Sequence, residues 1–485
     1  MRLIRRALCI SLCFLLISAA DKETTSKEDL HFLKNAIDRI IQQVDPNVHI
    51  GIEVISLKNG QKLYEKNPRH MFVPASTQKI FTAASALAIL GTDFRFETQL
   101  LAMREQKEGV LDGDLYLKGS GDPSLVTEDL QDLVFQLSLA GVKTIKGDLV
   151  IDNFEFDNIV QGPGWMWDEG AEYWTSPIDA LLVNHSSISV WVEPGQQVGA
   201  PARVGIFPEI EGVVIQNTAK TGEKKSDLRV SRRWVTRENL IEVDGTIDLK
   251  SKPQNYNIPL EAPAMYTATL FRDLLQQKGI GICGEIRFKK APENALLLAT
   301  HRSAPLSELI YPVLKKSDNL YSNCLFKKMG SKLHQAPGTW PKGSQAMRSF
   351  LSSQAEIDVE NLAIVDGDGE SRYNLISPHQ MVSFLVWMED QFLFFPEFLT
   401  ALPISGVDGT LKNRMDDPVL KGKIRAKGGR MTGISGIAGY AYTKDNEMLA
   451  FSIMINGFIK PAEEYKKNLE DQICKQLTQF SRKQH

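Results

Sequence analysis

Cysteine is scarce in this chain, which has five in 485 residues, and two of them, Cys9 and Cys13, lie within the first 20 positions. The other three (Cys283, Cys324 and Cys474) form an odd, widely spaced set, which argues against a disulfide framework. We expect all three to be small buried apolar residues. The eight histidines lack ligand spacings such as His-Glu-x-x-His, so the sequence gives no support for a metal site or another cofactor.

A large net charge is also missing. The formal net charge is -3, so no overall field attracts nucleic acid or an anionic membrane. Residues 220–237 are rich in Lys and Arg, but acidic residues are interspersed and no aromatic residues alternate with the basic ones. We therefore expect a solvated loop there and no nucleic-acid partner. After the first 20 residues, no apolar run is long enough to cross a bilayer.

The first 20 residues have the order of a secretory signal. Arg2, Arg5 and Arg6 precede an apolar stretch that ends in small residues at Ala20, and charged residues follow. This pattern predicts a signal peptide at residues 1–20 that is cleaved after Ala20. The alternative is an uncleaved anchor, which would add a peripheral association with the membrane.

The segment around Ser76 and Lys79 carries the first candidate chemistry. Helix-forming residues follow Pro74, so Ser76 and Lys79 are predicted to lie on one face of a helix, one turn apart. A lysine that burial keeps neutral could take the proton of the serine and make it a nucleophile. Taken alone, however, the pair is better explained as a helix cap and a surface lysine.

Two further motifs follow in chain order. Ser317 and Asn319 belong to a Ser-Asp-Asn tripeptide, and Lys427, Gly428 and Gly429 stand on a strand predicted at residues 423–430. The order S-x-x-K, S-D-N and K-T-G is the one found in penicillin-binding proteins and class A β-lactamases. Its presence favours catalysis over the cap.

Each of these residues suits one step of acyl transfer. Ser76 would attack an amide carbonyl with Lys79 as the base, Ser317 would relay the proton to the leaving nitrogen, and Asn319 would hold the substrate backbone.

Substrate binding is assigned to the strand of the third motif. Lys427 would place its charge near a substrate carboxylate, and the N–H groups of Ser76 and Arg430 would form the oxyanion hole. Gly428 and Gly429 would line the site as substrate-binding residues.

The pattern of elements predicts an α+β fold. Alternating residues at 49–56 and 61–66 surround a Lys-Asn-Gly turn, which predicts a hairpin. Three more strands are predicted at 423–430, 436–442 and 448–456. Together they would form a five-stranded antiparallel sheet covered by helices from both ends of the chain. The residues between these ends have the short, turn-bounded runs of a large β-rich insertion.

The sequence resembles the class C penicillin-binding proteins, the D-alanyl-D-alanine carboxypeptidase/endopeptidases of peptidoglycan. Besides the three motifs, the matching segments are Gly-Ser-Gly-Asp-Pro at 119–123, Pro-Gly-Trp-Met-Trp-Asp at 163–168, Asp-Gly-Asp-Gly-Glu-Ser-Arg at 366–372 and Gly-Val-Asp-Gly-Thr-Leu at 406–411. The resemblance implies a penicillin-binding/β-lactamase-like transpeptidase domain made of residues 21–96 and 300–485. Residues 97–299 would be inserted into it as two small subdomains.

The resemblance also implies a periplasmic serine DD-peptidase that forms an acyl-enzyme on Ser76. Its partners would be peptidoglycan stem peptides, cleaved at D-Ala-D-Ala or D-Ala-diaminopimelate bonds, and covalent β-lactam inhibitors; association with the sacculus is also possible. In this family Arg372 and an acidic residue near Asp152 would lie beside the cleft and hold the diaminopimelate end.

The third motif departs from the family, because Lys-Thr-Gly is Lys-Gly-Gly here. Gly428 lacks the hydroxyl that donates to the terminal carboxylate of the substrate. Three alternatives follow from this change: Arg430 or Thr432 binds the carboxylate instead, the enzyme prefers internal cross-links, or the chain is a weak or inactive pseudoenzyme that binds peptidoglycan. An esterase or β-lactamase on the same fold is a separate alternative. Asp368 and Glu370 replace Ser and Leu and add negative charge next to Arg372.

Overall fold

The computed structural model describes residues 27–169, 171–224 and 227–482. The predicted signal peptide at residues 1–20 lies outside this range. Within it, every helix is too short or too polar to span a bilayer.

Eleven helices are described in these residues. They are α1 (Lys27–Ile41), α2 (Lys79–Leu90), α3 (Thr127–Leu139), α4 (Pro263–Gln277), α5 (Leu306–Lys315), α6 (Asn319–His334), α7 (Trp340–Ser353), α8 (Pro378–Glu389), α9 (Phe395–Ala401), α10 (Ala462–Tyr465) and α11 (Asp471–Gln479). Single turns of 3-10 helix occupy Ala75–Gln78, Trp167–Glu169, Tyr173–Thr175, Asn184–Ser186 and Gly409–Leu411, and a π turn at Lys466–Glu470 joins α10 to α11.

The strands are numbered in the same way. They are β1 (His49–Ser56), β2 (Lys62–Lys66), β3 (Glu97–Ala102), β4 (Val110–Leu111), β5 (Leu115–Lys118), β6 (Thr144–Ile145), β7 (Leu149–Asp152), β8 (Ser187–Glu193), β9 (Arg203–Phe207), β10 (Val214–Asn217), β11 (Lys220–Gly222), β12 (Arg229–Arg232), β13 (Leu240–Asp244), β14 (Thr246–Asp248), β15 (Gln254–Pro259), β16 (Gly281–Ile282), β17 (Ile286–Phe288), β18 (Leu296–Arg302), β19 (Ile424–Met431), β20 (Ile434–Tyr442) and β21 (Met448–Asn456).

The described chain forms two compact units. The first contains the residues up to Thr77, Ile376–Phe395 and the residues from Leu402 onward, and the second contains Gln78–Leu375 and Pro396–Ala401. The domain boundaries predicted from the sequence differ from the bounds of these units, and they stay a prediction.

The first unit is built on a five-stranded sheet in the order β19-β20-β21-β1-β2, and all its pairings are antiparallel. One face carries Ile50, Ile52 and Val54 into a core shared with α1 and α11. The alternate residues face the other way, where Gly51 touches Pro378 at the start of α8. Helices from both ends of the chain therefore cover the sheet, which confirms the predicted α+β fold.

The second unit contains the β-rich region and a group of helices. Its largest sheet has the order β17-β7-β5-β3-β18, and four smaller sheets use the remaining strands. α2 packs against α5, α6 and α7. Residues 79 to 87 of α2 are all buried, since the helix is apolar around most of its circumference.

Two local predictions were wrong. Cys283 is exposed, whereas Cys324 and Cys474 are buried as expected. Residues 220–237 are not one loop, because they contain β11 and β12, which join small sheets. Paired strand backbones allow charged side chains to point into solvent, so a charge-rich composition did not exclude strands there.

Candidate active site

Ser76 lies on the 3-10 turn Ala75–Gln78, directly ahead of α2. The prediction of an α-helix at Ser76 was therefore wrong in detail. The segment before the turn is held by Asn456 at the end of β21, which accepts from the Val73 amide (2.8 Å) and donates to the Val73 carbonyl (3.2 Å).

Gly429 lies against the backbone of this turn within the first unit. A Cβ atom at position 429 would stand 2.9 Å from the nitrogen of Ser76 and 3.0 Å from the oxygen of Pro74. Such distances to backbone atoms are too short for any side chain, so glycine is required for β19 to approach the turn. This approach brings two parts of the predicted site, Ser76 and the third motif, together.

β19 is the edge strand of its sheet, and its backbone orientation can be derived from one hydrogen bond. The amide of Ala426 donates to Pro403 (3.0 Å), on the side away from β20. Amides two residues apart in a regular strand point the same way, and no bulge interrupts the pairing of β19 with β20. The N–H groups of Gly428 and Arg430 therefore also point away from β20. The role of the Arg430 amide in the oxyanion hole stays a prediction.

The surroundings of Gly428 differ from those of Gly429. A Cβ atom at Gly428 would meet only Nη1 of Arg414 and the oxygen of Gly436, each at 3.8 Å, which is ordinary contact. Packing therefore does not require glycine here. The neighbouring Lys427 is fully buried, and its Nζ donates to the Gly428 carbonyl at 2.6 Å.

Lys79, the first residue of α2, is completely buried in the second unit. Its Nζ donates to Oδ1 of Asn319 (2.7 Å) and to the carbonyl of Asp368 (2.9 Å). Burial lowers the pKa of Lys79, because a charged ammonium is costly away from water. Four nearby acidic side chains oppose this shift: Asp368, Glu370, Asp366 and Asp318. The lowered pKa is what a lysine base requires.

The Ser-Asp-Asn tripeptide joins α5 to α6. Ser317 has a left-handed backbone (φ 61°), and Asp318 caps α6 by accepting from the amide of Tyr321 at 3.1 Å. His185 places its Nε2 atom 3.0 Å from both carboxylate oxygens of Asp318. Asn319 is then the first residue of α6 and is directed at Lys79. The tripeptide thus combines a turn, a cap and a functional side chain.

An acidic loop at residues 366–372 contacts both Lys79 and Asn319 in the second unit. Asp366 organises the loop: its carboxylate accepts from the amides of Gly369 (2.9 Å) and Ser371 (2.7 Å) and from Nε1 of Trp165 (3.0 Å). The buried Asp368 accepts from Nδ2 of Asn323 at 2.8 Å. Burial raises the pKa of Asp368 well above its ordinary value, and the neighbouring Asp366 adds to the shift.

Glu370 extends the loop toward the Ser-Asp-Asn motif. Its Oε2 accepts from Nδ2 of Asn319 at 3.3 Å. Its carboxyl group also lies beside Glu169, whose pKa is raised to about 8 by burial and by the interaction with Glu370. The sequence did not predict this contact between residues so far apart in the chain. The only sequence signal was the unusual density of acids in the loop.

Among the described residues, no three His, Cys, Asp or Glu side chains are grouped so as to hold a metal ion.

Comparison with known proteins identifies the family. A family model described as D-Ala-D-Ala carboxypeptidase 3 (S13) matches residues 33–480. The chain belongs to this family. The class C penicillin-binding resemblance is thereby confirmed.

Two curated relatives of the S13 chain match over nearly its whole length. The D-alanyl-D-alanine carboxypeptidase of Actinomadura sp. (strain R39) is 32% identical, covering 93% of this chain and 85% of that protein. DacB of Haemophilus influenzae is 28% identical, covering 90% and 94%. The crystal structure of penicillin binding protein 4 (dacB) from Haemophilus influenzae has a TM-score of 0.80 at 28% identity, covering 91% of this chain and 98% of that one.

Arg372 and Asp152 are the remaining residues that the S13 resemblance assigns to the site. Arg372 is partly buried, and its charge counteracts the raised pKa of Glu169, so the two side chains are close. Asp152, at the end of β7, is buried, and its carboxylate accepts from the amides of Phe154 (3.2 Å) and Ala291 (2.9 Å). Both roles in substrate binding stay predictions.

Proposed function

We propose that this S13 protein is a serine D-Ala-D-Ala carboxypeptidase that acts through an acyl-enzyme on Ser76. The observation that carries the proposal is the state of Lys79. A lysine that is completely buried, with Asn319 of the Ser-Asp-Asn motif on its amine, matches a base and not a surface lysine. The match of the family model over residues 33–480 supports the same conclusion.

The proposed reaction transfers one acyl group from nitrogen to oxygen. Neutral Lys79 removes the proton of the Ser76 hydroxyl while Oγ attacks the carbonyl carbon of the penultimate D-Ala. The N–H groups of Ser76 and Arg430 stabilise the oxyanion. Ser317 delivers a proton to the leaving nitrogen, the C–N bond breaks, and terminal D-Ala departs as a free amine. Water then hydrolyses the ester and restores Ser76.

Substrate binding in this proposal uses both ends of the stem peptide. Asn319 holds the peptide backbone, Lys427 pairs with the terminal carboxylate, and Gly428 and Gly429 form the floor of that part of the site. Arg372 and Asp152 are assigned to the diaminopimelate end. This assignment also includes an endopeptidase activity on D-Ala-diaminopimelate cross-links, where a missing threonine hydroxyl matters less. The predicted signal at residues 1–20 would deliver the enzyme to the periplasm.

Acylation by β-lactams tests the proposal directly. Penicillin binding protein 4 from Haemophilus influenzae has been crystallised with a β-lactam, at a TM-score of 0.76 and 26% identity to this chain. We expect purified protein to bind fluorescent penicillin covalently, with the adduct on the peptide that contains Ser76. Ser76→Ala should abolish the label, whereas Ser231→Ala, at an exposed serine of β12, should not.

A catalytically weak peptidoglycan-binding protein is the second candidate, and the absence of a hydroxyl at Gly428 is the observation that favours it. It predicts saturable binding to sacculi that Ser76→Ala leaves unchanged. Purified muropeptides would then release no D-Ala. Release of D-Ala that depends on Ser76 would exclude this candidate.

A further inference from the structure

Glu370 lies next to Asn319 in the unit that contains Lys79, and Glu169 lies next to Glu370. We propose that Glu370 is a positioning residue that acts on Lys79 through Asn319, and that the neighbouring Glu169 modulates the negative charge that the base experiences. The inference rests on the proposed function, since it concerns the same base.

A continuous chain of hydrogen bonds connects the groups. Lys79 Nζ donates to Asn319 Oδ1 (2.7 Å), and Asn319 Nδ2 donates to Glu370 Oε2 (3.3 Å) and to the carbonyl of Trp174 (3.0 Å). With two acceptors on one side and an amine on the other, the amide can have only one orientation. A carboxylate on Nδ2 polarises the amide and makes Oδ1 a better acceptor for an ammonium group. Glu370 therefore stabilises the charged form of Lys79.

The protonation of Glu169 affects the total negative charge of the Glu169–Glu370 pair. The pKa of Glu169 is raised to about 8, first by burial and then by the Glu370 carboxyl group, while Arg372 opposes the shift and Asp168 adds to it. A pKa of about 8 means that the Glu169 side chain is mostly protonated at pH 7. Oε2 of Glu169 is buried and has no hydrogen-bond partner among the described residues, which fits a protonated acid better than a carboxylate.

The other acids that face Lys79 from its own unit are less able to take this role. Burial raises the pKa of Asp368 well above its ordinary value, which disfavours the charged form of that side chain. Asp366 is surrounded by the N–H donors of its own loop, and Asp318 is paired with His185 and the start of α6. Glu370 is thus the carboxylate in contact with the amide that binds the base.

The consequence is a defined pH dependence of acylation. Lys79 must be neutral to accept the serine proton, and the charge on Glu370 moves its deprotonation to higher pH. A single charge at this range shifts a neighbouring group by about one to three pH units, and the intervening amide favours the lower figure. Without Glu370, the acidic limb of the rate profile should lie about one unit lower, so that the rate on that limb rises roughly tenfold.

The test is the rate constant of acylation by fluorescent penicillin, measured from pH 5 to 10 at constant ionic strength. The variants are Glu370→Gln, Glu169→Gln and the double variant, and Glu211→Gln serves as the control, since its side chain is 82% exposed. We expect the acidic limb of the pH–rate profile to move to lower pH in Glu370→Gln and furthest in the double variant. Glu169→Gln should match the wild type below pH 8 and exceed it above, because no second charge can form there.

An acidic limb that stays at the wild-type pH in a folded Glu370→Gln would overturn the inference. Should that variant melt far below the wild type, Glu370→Leu gives the same test, because it removes the charge without leaving a buried amide. Failure of the wild type to be acylated at any pH would instead refute the proposed function.

Discussion

Restoring the missing threonine by Gly428→Thr is the most informative change the structure offers. A Cβ atom at Gly428 would lie 3.8 Å from both Arg414 Nη1 and the Gly436 oxygen, so a β-branched side chain fits without displacing backbone. The new hydroxyl would come within reach of Arg414 Nη1 and could accept a hydrogen bond from it. Its own proton would then be free to donate to a substrate carboxylate.

The size of the expected rate change follows from this one hydrogen bond between the threonine hydroxyl and the substrate carboxylate. A hydrogen bond to a charged group contributes about 1.5–3 kcal/mol, which is roughly a 10- to 150-fold change in rate if the bond acts in the transition state. The measurement is kcat/KM for D-Ala release from an acylated Lys-D-Ala-D-Ala peptide and from the same peptide ending in an amide. We expect Gly428→Thr to accelerate only the reaction of the free carboxylate.

Gly428→Val is the matched control, because valine has the shape of threonine without the hydroxyl. Equal rates for the threonine and valine variants would refute the reasoning, since only the hydroxyl distinguishes them. An equal gain on the amide-ended peptide would refute it as well.

Two further predictions concern geometry and pH. Gly429→Ala should slow acylation by about 100-fold, because its Cβ would stand 2.9 Å from the nitrogen of Ser76. Gly428→Ala is the control and should remain within a few-fold of the wild type, since its Cβ contacts are at 3.8 Å. Equal acylation rates for the two variants would contradict the close approach of Gly429 to the turn. Burial raises the pKa of Asp179 to about 6, so the stability that its protonated form gives is complete below pH 4 and is lost as the pH rises through 6. Asp179→Asn should abolish this decrease in the free energy of unfolding, which is about 3 kcal/mol in the wild type. The measurement compares the free energy of unfolding at pH 4 and at pH 7. An unchanged pH dependence in the variant would show that Asp179 is ionised throughout this range.

The sheet could be predicted from the sequence because its strands have clear signals. The hairpin of β1 and β2 surrounds a glycine turn, and β21 has the predicted bounds Met448–Asn456. α8 likewise has a local signal, since Ser377 and Pro378 give a strong helix start. Periodicity and capping are local properties, so one sequence suffices to read them.

The surroundings of the candidate site could be predicted only in part. The motifs led to Lys79 and Asn319, which the structure brings into contact, while their catalytic roles stay predictions. The contact between Glu169 and Glu370 joins distant parts of the chain, and no periodic pattern announces such a contact. The steric requirement at Gly429 also depends on tertiary structure, because it arises from a turn more than three hundred residues earlier.

The origin of the central sheet has a consequence for how the protein is made. β1 and β2 come from the first part of the chain, but their partner β21 is synthesised close to the end. The hairpin must therefore wait for almost the whole polypeptide before it can pair, which is typical of slow folding. The number of residues between the paired strands adds little to the free energy of loop closure, since each doubling of the loop length costs only about 0.6 kcal/mol. Asn456, the last residue of β21, also holds the segment before Ser76. The segment before Ser76 can therefore be held in this way only after residue 456 has been synthesised, and a polypeptide truncated before that point would lack the contact.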